Sequence, residues 1–426
     1  MGGVEGHLYH NAQCLIRRGH KVIVVTHSYG SRCGIRYLSG GLKVYYIPAP
    51  VVYNQASLPT FFSTFHIFRQ IFIRERVEIV HGHQALSTFC LEAILHACSM
   101  GLKTLFTDHS LFGFADASSI LTNKLLKFTL SDVGHVICVS HTSKENTVLR
   151  AALDPWNVSA IPNAIVADHF VPDPKAANPD YITIVVVSRL VYRKGIDLLV
   201  AAIPRICQKY PNVRFIIGGD GPKRIELEQM REKYQLQDSV ELLGSVQHAN
   251  VRNVLIRGDI FLNTSLTEAF CIAIVEAAAC GQLLNVALST KVGGIPEVLP
   301  KHMITFANPE EDDVVAALAS AIRKVSNRSL HPKLSPWQMH KDVKEMYSWY
   351  NVAERTEKVY YDIVDLPLPP LIERLRKYYG CGLVAGKIFC IIVALDYLLS
   401  VLFEWIWPKD SIEIAPNFPY KKYRKV

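Results

Sequence analysis

This 426-residue sequence predicts two doubly wound α/β domains in tandem, followed by one helix able to cross a membrane. Three observations carry that reading. Short apolar runs alternate with helix-like spacing through the first part of the chain, the signature of a parallel sheet covered on both faces. After a polar stretch rich in proline and aspartate, "VPDPKAANPD" at Val171–Asp180, the alternation starts again. Near the end, "IFCIIVALDYLLSVLFEWIW" (Ile388–Trp407) runs for 20 mostly apolar residues, about the length a bilayer requires.

In the first domain, "KVIVVT" (Lys21–Thr26), "KVYYIP" (Lys43–Pro48), "VEIVHGH" (Val77–His83), "KTLFTDH" (Lys103–His109) and "HVICVS" (His135–Ser140) read as strands. "VSAIPNA" (Val158–Ala164) adds another before the linker. The second domain offers "YITIVVVSRL" (Tyr181–Leu190), "VRFIIGGDGP" (Val213–Pro222), "SVELLGSV" (Ser239–Val246) and "DIFLNTS" (Asp259–Ser265). "DVKEMYSWYNVAERTEKVYYDIV" (Asp342–Val364) reads as one helix, and "DLPLPP" (Asp365–Pro370) breaks the chain before the apolar run. The expected divisions are residues 1–170, 171–345, a helix and linker at 346–380, a membrane helix at 386–407 and a tail at 408–426. In such sheets ligands sit beyond the carboxyl ends of the strands, so two facing sheets would share one cleft.

Composition narrows the function classes. A net charge of +8 suits anionic partners. No basic–aromatic repeat supports a nucleic-acid surface. The ten cysteines are scattered without a C-x-x-C pair, several inside apolar runs, the usage of a reducing compartment. "MGGVEGHLYHNAQCLIRRGH" lacks a basic stretch followed by an apolar core, so no signal peptide is expected. Asp396 and Glu404 interrupt the apolar run; intramembrane carboxylates usually face a protein partner.

Candidate site residues gather at strand ends. Arg189 follows a strongly apolar strand, and Lys194 lies just beyond it. Gly218, Gly219 and Gly221 form a turn where backbone can approach a ligand closely. Ser265 and Glu268 fit the S-x-x-E capping box, so Glu268 reads as a helix cap or as a ligand group at a helix N-terminus. Glu276 would lie about 12 Å further along that helix, among residues apolar on every side. A buried carboxylate needs donors, either ligand hydroxyls or a structural partner. "FFSTFHIFRQIFIRERV" spaces Phe61, Phe65, Phe68 and Phe72 as one helical stripe, either core or a membrane-dipping surface.

Taken together, Glu268-x7-Glu276 with "KVGGIPEV", "VSRLVYRKGIDLL", "FIIGGDGP" and "IPNA" resemble the retaining, GT-B-fold glycosyltransferases of family 4. "TDHSLFGFAD", "SKENTVLRAAL" and "NVAERTEKVY" are similar to the members that begin glycosylphosphatidylinositol-anchor synthesis. The resemblance implies UDP-N-acetylglucosamine as donor, phosphatidylinositol as acceptor and other membrane subunits as partners. It places the enzyme in the endoplasmic reticulum membrane, with cytosolic catalytic domains and one crossing. It assigns Arg189 and Lys194 to the diphosphate, Glu276 to the ribose, and the backbone of Ala269, Phe270 and Cys271 to phosphate and sugar. Glu268 and His109 are matched to the sugar and the reacting region, and Gly3 to a glycine turn near the diphosphate. No Asp-x-Asp occurs, so no metal or other cofactor is expected. The chain departs from the pattern in three places. Met1 falls within the loop after the expected first strand, the 281–292 connection is longer, and Val166 replaces an acidic residue. A non-catalytic scaffold of the same fold, or an enzyme with another acceptor, is the alternative.

Overall fold

The computed structural model describes residues 3–49, 51–53, 56–57, 60, 62–113, 117–281, 287–326 and 335–416. It divides into two compact units, one made of residues 2–161 with 350–426, the other of residues 162–349.

The discontinuous unit begins with helix α1 (Gly3–Arg17) and strands β1 (Ile23–His27), β2 (Gly34–Tyr37) and β3 (Lys43–Ile47). These three strands form one sheet in the order β1-β3-β2, with β2 antiparallel. A short hairpin, β4 (Val51–Tyr53) and β5 (Ala56–Ser57), precedes helix α2 (Phe65–Arg74). Strand β6 (Ile79–His83), helix α3 (Thr88–Ser99), strand β7 (Lys103–Asp108), helix α4 (Ala117–Leu130), strand β8 (His135–Cys138), helix α5 (His141–Ala151) and strand β9 (Val158–Ala160) follow. These strands make a parallel sheet in the order β6-β7-β8-β9. Side-chain hydroxyls cap two of the helices: Ser87 Oγ accepts from the Cys90 N–H at α3, and Ser140 Oγ from the Ser143 N–H at α5. Phe65, Phe68 and Phe72 are buried at the α2 interface. The phenylalanine stripe is therefore core, and the membrane-dipping reading is set aside; Phe61 lies outside the described residues.

The unit spanning 162–349 holds β10 (Ile182–Val187), α6 (Ile196–Lys209), β11 (Val213–Gly218), α7 (Arg224–Lys233), β12 (Val240–Gly244), α8 (Val251–Leu255), β13 (Ile260–Asn263), α9 (Ile272–Ala279), β14 (Ala287–Thr290), β15 (Ile304–Ala307), α10 (Glu311–Ser326) and α11 (Pro336–Met346). Its strands form a six-stranded parallel sheet in the order β12-β11-β10-β13-β14-β15. The uninterrupted apolar run of β10 follows from burial on both faces, with Ile184 and Val185 fully enclosed.

The single helix expected over Asp342–Val364 is two helices. Helix α11 ends at Met346, and α12 (Trp349–Val364) starts after a break. At that break the Tyr347 carbonyl accepts from the Ile165 N–H at 3.3 Å, and the Tyr347 hydroxyl donates to the Val298 carbonyl.

Residues from Tyr350 onward belong with the first unit. Glu357 of α12 accepts from Arg18 Nε at 2.9 Å and pairs with His20 Nε2 at 2.6 Å. Helix α13 (Leu371–Tyr379) pairs Arg374 with Asp132. The apolar helix α14 (Ala385–Ile406) has 22 residues, long and apolar enough to cross a membrane. It packs along α3 and α4: Val393 is buried with Leu95, Phe128 and Tyr378, and the Phe389 ring lies 4.6 Å from that of Phe128.

Candidate functional site

Every strand of the 162–349 sheet is parallel, so all carboxyl ends lie on one edge. That edge collects Arg189 after β10, Gly219 and Gly221 after β11, His248 after β12 and Glu268 after β13. The loops are fastened to one another. Leu190 N–H donates to the Asp220 carbonyl at 2.9 Å, and Leu266 N–H to the Arg193 carbonyl at 2.9 Å. Gly219 has φ +146, and a Cβ there would fall 1.8 Å from the Ser188 carbonyl oxygen. The close approach that demands glycine is thus to the neighbouring loop that carries Arg189, whereas the sequence suggested an approach to a ligand. Arg189 itself is exposed.

Lys194 Nζ is ion-paired with Glu268 Oε1, and both side chains are mostly buried, at 15% and 12% exposure. Ser265 Oγ donates to the same carboxylate oxygen at 3.1 Å. This corrects the capping-box reading. Helix α9 starts at Ile272, well beyond Ser265, and its N-cap is Cys271 with φ 62 and ψ 77. Glu268 therefore lies in an irregular turn, where its carboxylate can face a cation instead of backbone N–H groups. A left-handed conformation is unusual for a residue with a side chain. It turns the chain sharply, so that Ala269, Phe270 and Cys271 are buried immediately before the helix. Burial pushes the Cys271 thiol up to about 12, which keeps it protonated and non-nucleophilic.

Glu276 lies inside α9 and is 5% exposed. Its chain partner is His248, whose Nε2 stands 3.2 Å from Glu276 Oε1. That bond raises the His248 pKa above its ordinary value. His248 was not singled out from sequence. It was findable: it follows a strand at the carboxyl edge, where polar residues concentrate in such sheets.

In the other unit, His109 follows β7. The preceding Asp108 is fully buried and fixes this loop: its Oδ1 accepts from Ser110 N–H at 2.9 Å and Ser110 Oγ at 2.7 Å, its Oδ2 from Thr147 Oγ1 at 2.9 Å. His109 Nε2 is 3.2 Å from His83 Nδ1, and the His7 ring meets that of His109 edge-on at 4.8 Å. His81 and His83 share a strand face, as alternate residues must; their rings stack at 4.2 Å. The "HGH" alternation was the sequence signal for this cluster. Burial and neighbouring imidazoles hold His83 and His109 well below the ordinary histidine value, and burial brings His81 down to about 3. The imidazoles are therefore neutral at pH 7. The ligating nitrogens of His7, His83 and His109 lie within 4.8 Å of one another, so among the described residues this is where a nitrogen-ligated ion has donors. Gly3 opens helix α1 rather than occupying a turn, with open space around its Cα.

The comparisons with known proteins bear on this arrangement. A family model described as PIGA (GPI anchor biosynthesis) matches residues 27–116, and one for glycosyl transferases group 1 matches residues 170–333. The gpi3 subunit of phosphatidylinositol N-acetylglucosaminyltransferase from Schizosaccharomyces pombe is 61% identical over 414 residues, 97% of this chain and 89% of its own. The chain belongs to the PIGA/GPI3 family of phosphatidylinositol N-acetylglucosaminyltransferase subunits. A Homo sapiens protein named for the same transferase is 56% identical over 97% of this chain and 84% of its own. Among solved structures, sucrose-phosphate synthase from Thermosynechococcus elongatus aligns with a TM-score of 0.67 at 19% identity, covering 85% of this chain and 93% of its own. HepE from Anabaena, in complex with UDP and glucose, aligns with a TM-score of 0.64 at 16% identity, covering 84% and 96%. These likenesses give this PIGA/GPI3 family member a GT-B glycosyltransferase fold.

Proposed function

We propose that this chain is the catalytic subunit that transfers N-acetylglucosamine from UDP-N-acetylglucosamine to phosphatidylinositol with retention, the first step of GPI-anchor synthesis. The observation that carries the reading is the intact set Arg189, Lys194, Glu268 and Glu276 at one sheet edge of a PIGA/GPI3 family member. In this reading the bond between the sugar C1 and the diphosphate oxygen breaks, and its electron pair leaves with UDP. The inositol hydroxyl oxygen bonds to C1, and its proton passes to the departing diphosphate oxygen. Arg189 and Lys194 stabilise the charge that develops on the leaving diphosphate. Glu268 holds Lys194 in place for that task, and Glu276 takes the ribose hydroxyls as His248 orients it. The backbone from Ala269 to Cys271 turns toward phosphate and sugar, and Gly219 and Gly221 keep the Arg189 loop in position. These cationic side chains serve the diphosphate without a metal ion or other cofactor.

The enzyme works at the endoplasmic reticulum with other membrane subunits, and both α/β units are cytosolic, on the side where the donor is supplied. The test is incubation of microsomes carrying this chain, in cells lacking their own enzyme, with radiolabelled UDP-N-acetylglucosamine. Label in an N-acetylglucosaminyl-phosphatidylinositol band is expected. Absence of lipid-extractable label would favour a non-catalytic scaffold, and label in a different lipid another acceptor.

A further inference from the structure

Four imidazoles meet inside the first unit, and the chemistry proposed for sugar transfer engages none of them. His7 is buried on α1, His81 and His83 are alternate residues of β6, and His109 directly follows β7. Strands β6 and β7 are hydrogen-bonded neighbours, with His83 opposite Thr107, so one ladder sets the positions of His83 and His109. Asp108 then fixes the backbone that leads to His109, through its bonds to Ser110 and Thr147.

The four divide by what their nitrogens already hold. His81 is engaged on both sides: Nδ1 lies 2.8 Å from the Tyr360 hydroxyl and Nε2 2.7 Å from Thr107 Oγ1. Its ring stacks on that of His83 at 4.2 Å and steadies it. The other three gather nitrogens at one point. His83 Nδ1 and His109 Nε2 are 3.2 Å apart, and with His7 the ligating nitrogens all lie within 4.8 Å of one another. A tetrahedral ion with nitrogens at about 2.0–2.1 Å keeps neighbouring ligand atoms about 3.3 Å apart. The His83–His109 spacing already matches one edge of that tetrahedron, and a small rotation of the His7 ring supplies a third corner. Two facing lone pairs repel, so without an ion a proton sits between those nitrogens. An ion takes the place of that proton, each neutral ring keeping its own proton on its other nitrogen. Nothing is oxidised, and no proton leaves the protein.

The donor set selects the ion. Imidazole suits zinc and its transition-metal neighbours, whereas magnesium and calcium require oxygen. Three protein nitrogens leave a fourth position for water. The ligands also come from two halves of the unit. Helix α1 packs through Tyr9, Ala12 and Ile16 on Leu42, Val44 and Tyr46 of the β1-β3-β2 side, while His83 and His109 belong to the β6-β7-β8-β9 side. The two sheets share apolar packing but no hydrogen-bonded ladder among the described residues.

We propose that His7, His83 and His109 bind one zinc-class divalent ion, which clips α1 and its sheet to the β6–β7 edge of the other. The ion is structural, and the proposal holds whichever sugar or lipid the enzyme uses, because its tests read binding and coordination.

The full-length chain, purified in detergent and stripped with a chelator, is titrated with Zn2+ and separately with Mg2+. One Zn2+ per chain, a higher melting temperature with Zn2+ and no response to Mg2+ are expected. Loss of an outer-shell partner alone costs about 10–100-fold in metal affinity. His7→Asn should therefore weaken Zn2+ binding by at least about 100-fold and abolish the thermal shift, with the circular dichroism unchanged. His81→Asn should keep one ion per chain and lose no more than that outer-shell range. Absence of Zn2+ binding, or unchanged affinity in His7→Asn, would overturn the proposal. X-ray absorption at the zinc edge of the native chain decides without any variant. Three imidazole nitrogens at about 2.0–2.1 Å are expected, and sulfur neighbours at about 2.3 Å would move the ion to cysteine and refute the site.

Discussion

Replacing Glu276 with glutamine keeps the volume of the side chain and one acceptor oxygen but removes its charge. The position is well defined: the residue is 5% exposed and is held by His248 at 3.2 Å. Cavity formation and helix propensity should therefore contribute little, and the loss falls on the acceptor strength offered to a nucleotide ribose. A hydrogen bond to a charged group contributes about 1.5–3 kcal/mol, which corresponds to roughly a 10- to 150-fold change in Kd. His248 already takes one carboxylate oxygen, and the glutamine carbonyl still accepts, so the low end, about tenfold, is expected. Isothermal titration of UDP into the full-length native and Glu276→Gln proteins measures it. Glu268→Gln serves as comparator: its carboxylate holds Lys194, so turnover should fall further and UDP affinity less. An unchanged UDP Kd in Glu276→Gln, or equal losses in the two variants, would refute the separate roles.

Other outcomes follow from the same geometry. Because burial depresses His81, His83 and His109, the unfolded chain binds protons that the folded one refuses. Stability should hold above about pH 6.5 and decline below it; His83→Asn should flatten that decline in melting temperature against pH. His248 runs the other way, since Glu276 raises its pKa. Its contribution is complete below about pH 6.5 and is lost as pH rises through the raised value, so His248→Ala should remove that slope. Phe65→Ala should cost roughly 3–5 kcal/mol in urea unfolding, since the ring is fully buried; a loss below about 1 kcal/mol would revive a surface role. Gly195 has φ +66, and an added Cβ would meet the Thr264 carbonyl oxygen at 1.8 Å. Gly195→Ala should destabilise by at least the roughly 1–3 kcal/mol of backbone strain and misplace Lys194, visible as a lower turnover.

Where residues obey a local rule, the fold was readable. The apolar runs at Tyr181–Leu190 and Val213–Pro222 became β10 and β11 because strands buried on both faces leave an unbroken hydrophobic signature. Strand β2 was missed because all four of its residues are exposed and one is charged; its pairing with β3 is a tertiary fact. Strands β14 and β15 were missed too, each only four residues long. Site chemistry was legible as residue types at strand ends, while pairing was not. The spacing of Ser265 and Glu268 matched a capping box, yet Lys194 competes for the carboxylate and the left-handed Cys271 delays the helix. Likewise, the composition of α14 identified a membrane-seeking segment. That Asp396 and Glu404 are answered by His96 and Arg69 depends on residues some 300 positions away, beyond the reach of any window.

The unit that carries His109 is built from both ends of the chain, and this dictates an order of events during synthesis. Residues up to 161 leave the ribosome without Glu357, Arg374 and α14, which later cover Arg18, Asp132 and the outer faces of α3 and α4. The whole of 162–349 must be translated first, an interval of roughly ten to forty seconds at ordinary elongation rates. Throughout it, a nascent sheet and its apolar helices remain open to chaperones, to the membrane surface and to neighbouring chains. A ribosome stalled before residue 350 would release a finished 162–349 unit attached to an unfinished partner. The last helix made is thus the closing piece of the first domain begun.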